Sequence, residues 1–250
     1  MTSTAESVSS LAAPVGDIGG RWMLDREVLG PCKTFGYPNR YAYYFAGRAG
    51  VLGDVDADVV CAGLGFFDPS LVRKMWEAGI AVEGARAAAA RYGAACAQWG
   101  RLRLAGFDGA ARQADLIRHV IDSVDPAGLP LFAGWRAEPR PDDRAGLAYF
   151  VTHVLRELRC AVHINAVVFT GIAPRDAMLV ADGEGTAQQF GWTSPFPEVS
   201  HLVGLRAETE EITDRIMTRF FDQALNNDES AELLDLVLAM KAHLDAVLPT

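Results

Sequence analysis

The chain has 250 residues, half of them apolar, and its 32 acidic against 23 basic side chains give a formal charge of −9. That length and apolar content suffice for one large domain or two small ones, and no apolar run reaches the roughly 18 residues that a membrane span needs. The acidic balance opposes a polyanionic partner, because nonspecific nucleic-acid affinity comes from Lys and Arg displacing counterions.

Residues 1–20, MTSTAESVSSLAAPVGDIGG, lack a basic n-region and a continuous apolar core. They read as a disordered leader with no secretion signal, which places the protein in the cytoplasm. Residues 22–39, with Gly30, Pro31, Gly36 and Pro38, read as an ordered but irregular arm. A helix is expected from about Arg40 to Val51, and a second, apolar one capped by Asp56 and ending near Phe67. Asp68-Pro69 starts a third, with Gly79 as its stop. An Ala-rich helix follows over 81–104 and an amphipathic one over 108–124, so that residues 21–124 form an N-terminal helical unit. Residues 125–146 carry four of the 12 prolines and read as a linker that no helix crosses.

Residues 147–250 form the C-terminal half. Its first segment, LAYFVTHVLRELRCAVHINAVVF, is a helix in which His153, Arg156, Arg159 and His163 recur at steps of three, three and four, on one face of an otherwise apolar run. Gly171 and Pro174 turn into a helix over 174–181, and a short helix covers 185–190. The stretch GWTSPFPEVSHLVGL, with Trp192 and paired prolines, predicts a small β wing. Two amphipathic helices, 207–225 and 228–248, end the chain; their apolar faces suit either the chain's own core or a homodimer. The fold class expected is all-α.

The four cysteines, Cys32, Cys61, Cys96 and Cys160, are widely spaced, with no C-x-x-C pair and no His at metal-ligand spacing, so buried free thiols are expected and no metal. No G-x-G-x-x-G opens a helix and no P-loop is present. Nicotinamide, flavin and ATP are therefore not indicated, and no cofactor is expected.

Four blocks, YFAGRAGVLGDVDADVV with FFDP, then DPAGLPLFAGWRAEPRPDD, LRELRCAVH and GLRAETEEITDR, stand in this order between Tyr41 and His243. Together they resemble an actinobacterial family of helix-turn-helix-related proteins, mostly uncharacterised. The resemblance implies a multi-helix core with a winged-helix-like C-terminal half and little about activity. The positions matching the family's charged motifs are Arg48, Arg156, Glu157, Arg159 and His163. The chain departs from the family at Cys160-Ala161-Val162, where Gly-Asp would precede the histidine. Losing that acid removes a partner for an arginine and points to a diverged pocket.

Burying a guanidinium without a partner costs several kcal/mol, so the basic stripe must meet carboxylates or line a cavity. Tyr41, Tyr44 and Arg48 share a face of the first helix. If that face meets the stripe, the cavity suits an anionic or carbonyl-bearing small molecule. Arg48, Arg156 and Arg159 would clamp it, with His153 and Tyr41 alongside, while His163 takes and gives a proton and Tyr44 donates to a developing oxyanion. The competing reading is an internal ion-pair network, Arg48 and Arg156 against Asp54, Asp56, Asp68 or Glu157, that only fixes helix packing.

DNA binding through residues 164–192 is disfavoured: Arg175, Gln188 and Gln189 face the groove in company with Asp176, Asp182 and Glu184. A Cys160–His163 nucleophile pair is weaker still, because Cys160 lies inside an apolar helix. Two accounts of function result. The first is a cofactor-independent enzyme or ligand-binding protein of specialised metabolism on a repurposed helix-turn-helix-like scaffold. The second is a metabolite-sensing transcriptional regulator, or a degenerate DNA-binding protein.

Overall fold

The computed structural model describes residues 2–247, and among these it is helical throughout, with no strand. In chain order the helices are α1 (Thr4–Arg21), α2 (Arg26–Leu29), α3 (Arg40–Ala49), α4 (Ala57–Leu64), α5 (Pro69–Glu83), α6 (Ala85–Arg103), α7 (Ala110–Ser123), α8 (Pro130–Ala137), α9 (Arg144–Thr170), α10 (Pro174–Gln189), α11 (Val203–Ala224) and α12 (Asn227–Val247). At 1.5 Å per residue, α9 is about 40 Å long. It is the axis of the molecule, with α1, α6, α7, α8 and α11 packed around it.

An amphipathic surface helix buries one stripe, whereas α9 is apolar on nearly all sides, and its residues from Ala148 to Val167 are mostly buried. Its ends are defined locally. The Asp143 side chain accepts from the Gly146 amide at 2.7 Å, and Gly171 takes the left-handed conformation that stops the helix. α3 is likewise sunk in the core, from Ala42 through Ala49, after Asn39 caps it by accepting from the Ala42 amide. The two helices flank the site described below.

Four expectations are corrected. Residues 1–20 are no disordered leader: they form α1, started by a capping box between Ser3 and Glu6, and Val8, Leu11, Val15 and Ile18 pack into the core. The stripe at i, i+3, i+7 and i+10 outweighs the Pro14 interruption because α9, α11 and α12 cover it. Residues 125–146 are no linker, since Pro130 opens α8, and Phe132 and Trp135 of that helix are fully buried in the main core cluster. Gly79 does not stop α5. It lies inside the helix, where a Cβ would stand 2.3 Å from the Ala42 carbonyl oxygen, so the α3–α5 crossing requires glycine, and α5 ends at Gly84. The β wing is absent: residues 191–199 are irregular, with neither backbone pairing nor an alternating pattern to drive it.

The terminal helices use their apolar faces within the chain. Ile212, Met217 and Phe221 of α11, and Leu233, Val237, Met240 and Leu244 of α12, are buried against α1, α7 and α9. This removes the argument for a homodimer through those faces. No single helix among the described residues is long and apolar enough to cross a membrane.

Candidate functional site

The facing of α3 and α9 brings Tyr44 and Arg48 against Arg156, at the floor of a cavity of about 370 Å³. Its walls are mainly apolar, from Met23, Leu64, Phe66, Phe67 and Phe190, and its size falls in the range of small-molecule sites. Tyr41 stands at the rim, where its hydroxyl donates to the Gln189 carbonyl oxygen at 3.1 Å.

The ion-pair network of the competing reading is present, with Glu157 as its acid, and it forms the floor of the cavity. Beneath the two arginines lies Glu157, fully buried. Arg48 grips it with two parallel bonds, Nε to Oε1 at 3.1 Å and Nη2 to Oε2 at 3.0 Å, and Arg156 Nη1 adds a third at 2.7 Å. Burial would raise the Glu157 pKa, but the two guanidiniums outweigh it and hold the group at about 2. Burial also opposes the Arg48 charge, and Glu157 again outweighs it, raising that pKa further. Asp54, Asp56 and Asp68 take no part.

Two positive charges against one negative leave a surplus of one positive charge, and none of the side chains lining the cavity is acidic. Arg156 has room for a ligand, since its Nη1 alone is committed to Glu157. Arg48 Nη1 donates to the Tyr44 hydroxyl at 2.7 Å, so the phenol acts as acceptor there and its own proton has no acceptor among the described residues.

The other predicted residues lie elsewhere. His153 is fully buried behind the floor, its Nδ1–H donating to the Gly19 carbonyl oxygen at 3.2 Å and its ring edge-on to Trp22 and Trp135. Burial pushes its pKa down to about 4, so it is a neutral packing residue at neutrality. Arg159 faces α11, paired with Glu210 at 2.8 Å and Asp214 at 3.0 Å. His163 lines a second, smaller cavity of about 150 Å³, beyond Phe66 and Phe190, and burial pushes its pKa to about 4 as well. The seven-residue step from Arg156 to His163 keeps the two on similar sides of α9 but roughly 10 Å apart along the axis, so they cannot serve one small ligand head group. Cys160, between them, lines the main cavity with a free thiol.

Sequence reasoning named Glu157 as a position matching the family's charged motifs and as one of four alternative partners, and missed the apolar wall. Glu157 is i+4 from His153 and adjacent to Arg156, a charged residue inside an apolar helix, which was a usable signal. Phe66, Phe67 and Phe190 come from the α4–α5 connection and the end of α10, and no spacing rule links such distant segments.

The chain turns from α9 into α10 through Gly171, Ile172 and Ala173 with a bend of 116°, within the usual range of a helix-turn-helix corner. α10 is itself broken at Gly183, whose φ of 77° and ψ of −178° are open only to glycine, in keeping with the two short helices expected there. The piece after the break carries Gln189 and leads into Phe190, so the second helix of the corner and the cavity share a wall. No curated protein and no solved structure matches the chain. A family profile described as a helix-turn-helix family matches residues 10–196, across the cavity and the corner alike, and the chain belongs to that helix-turn-helix family.

Proposed function

We propose that the protein binds an amphipathic organic anion in the cavity between α3 and α9. The carrying observation is the floor: Arg48 and Arg156 against the single buried Glu157, with one surplus positive charge beneath apolar walls. The anionic group of the ligand, a carboxylate or its equivalent, accepts from the free Arg156 N–H groups and from the Tyr44 hydroxyl, while Met23, Phe67 and Phe190 cover its apolar body. The acid–base chemistry that an enzyme reading requires has no support in this cavity, because His163 lies beyond the aromatic wall. Ligand binding is the reading that remains.

Decanoate titrated into the protein by calorimetry tests this. Saturable one-to-one binding is expected, weakened at least about tenfold in Arg156→Met, since charge-assisted bonds of this kind contribute about 1.5–3 kcal/mol. Arg156 is only partly buried, so the thermal midpoint of the variant should stay within a few degrees. Equal binding by wild type and variant, or no binding of any carboxylate, refutes the proposal.

One observation favours a sensing role for the same site: α10 is both the second helix of the corner and a wall of the cavity. Asp182 and Glu184 are exposed on it, which disfavours phosphate contact. A gel-shift titration at low salt with and without decanoate tests it; absence of retardation at micromolar protein removes a DNA-binding regulator.

A further inference from the structure

The second cavity, where α9, α10 and α11 meet, shares two wall residues with the first, Phe66 and Phe190. Phe190 stacks on Phe67 with ring centroids 4.2 Å apart, and Phe66 lies nearly parallel to the His163 ring at 5.9 Å. Passage from one cavity to the other requires rotamer changes of these two rings.

The polar groups beyond it are unsatisfied in a complementary way. The Thr213 hydroxyl donates to the Thr209 carbonyl oxygen at 2.8 Å, so it can only accept from His163 Nδ1, 2.9 Å away. The imidazole proton is therefore on Nδ1, and Nε2 carries a lone pair with no hydrogen-bond donor among the described residues. Its low pKa keeps that lone pair free at neutrality. Arg206, on the same cavity, pairs with Glu210 at 2.5 Å, yet its Nε–H is buried without an acceptor. A free acceptor and a free donor together match a hydroxyl group, which donates to one and accepts from the other.

We infer that the His163–Arg206 cavity is the distal subsite of the anion site, and that the ligand is an elongated carboxylate whose far end bears a hydroxyl group. Its acidic head lies at Arg156 and Tyr44, its apolar middle passes between Phe66 and Phe190, and its hydroxyl donates to His163 Nε2 while accepting from Arg206 Nε. This rests on the anion-binding reading above and adds the identity of the second end.

Calorimetry with ω-hydroxydecanoate against decanoate, and ω-hydroxydodecanoate against dodecanoate, tests it. For at least one pair the hydroxy acid should bind roughly five- to tenfold more tightly, the contribution of hydrogen bonds to otherwise unsatisfied buried groups. The preference should vanish in both His163→Leu and Arg206→Met, while the plain acid still binds. Two variants are needed because His163 is buried and its replacement alone could disturb packing. If hydroxy and plain acids bind equally, or if the preference survives in both variants, the distal subsite is refuted while the anion site stands. If no carboxylate binds wild type, the anion reading itself has failed.

Discussion

Lowering the pH from 7 to 5 should cost this protein much of its stability, through two histidines that burial keeps neutral in the fold. His153 and His163 are both held near a pKa of 4, against 6.5 for an unhindered imidazole, chiefly because burial disfavours the charged ring. In this window the unfolded chain therefore binds more protons than the folded one, and stability rises with pH. Stability is fully present above about 6.5 and declines as the pH falls toward 4. Integrating the linkage relation gives about 2 kcal/mol lost per histidine between pH 7 and pH 5, or about 4 kcal/mol for the pair. Glu157, held near 2, adds nothing until the pH drops below its unfolded value of about 4.5. Urea unfolding followed by helical circular dichroism at pH 7, 6 and 5 measures the loss directly. A drop of about 4 kcal/mol, with a fall of roughly 10 °C in the thermal midpoint, is expected for a chain of this size. His153→Gln should lose about half of the pH dependence. Stability that is flat to within 0.5 kcal/mol, or unaltered pH dependence in His153→Gln, would refute the argument that these rings are buried neutral.

Arg48→Met should destabilise by about 3–5 kcal/mol in urea unfolding, because it leaves the fully buried Glu157 with only Arg156; the double variant with Glu157→Gln should recover part of that loss, and no recovery would show that the pair is not coupled. Gly79→Ala should cost about 1–3 kcal/mol, since its Cβ has no space beside the Ala42 carbonyl oxygen and α5 must move off α3; a change under 0.5 kcal/mol in the same assay would mean the crossing is looser than described.

Much of the helical framework is legible in the sequence because its signals are local. Asp68-Pro69 starts α5, Gly171 stops α9, and the short helices on either side of Gly183 appear in the pattern of residues itself. The site is half legible for the same reason. Steps of three and four place Tyr41, Tyr44 and Arg48 together on α3, and the stripe on α9 is readable as a stripe.

What the sequence could not decide is which side of each helix meets which neighbour, and how far along its axis. α9 is long enough that Arg156 and His163, one stripe in the sequence, open into different cavities. His153 belongs to that stripe too, yet Trp22 and Trp135 close over it because α1 and α8, read as leader and linker, fold onto α9. A segment's fate as core or tail depends on whether a partner surface exists to bury its apolar stripe, and that is a property of packing between distant elements. The same physics settles the charges. Helical spacing determined that the arginines would share a side, but only the tertiary structure set Glu157 beneath two of them and left one positive charge to face the cavity.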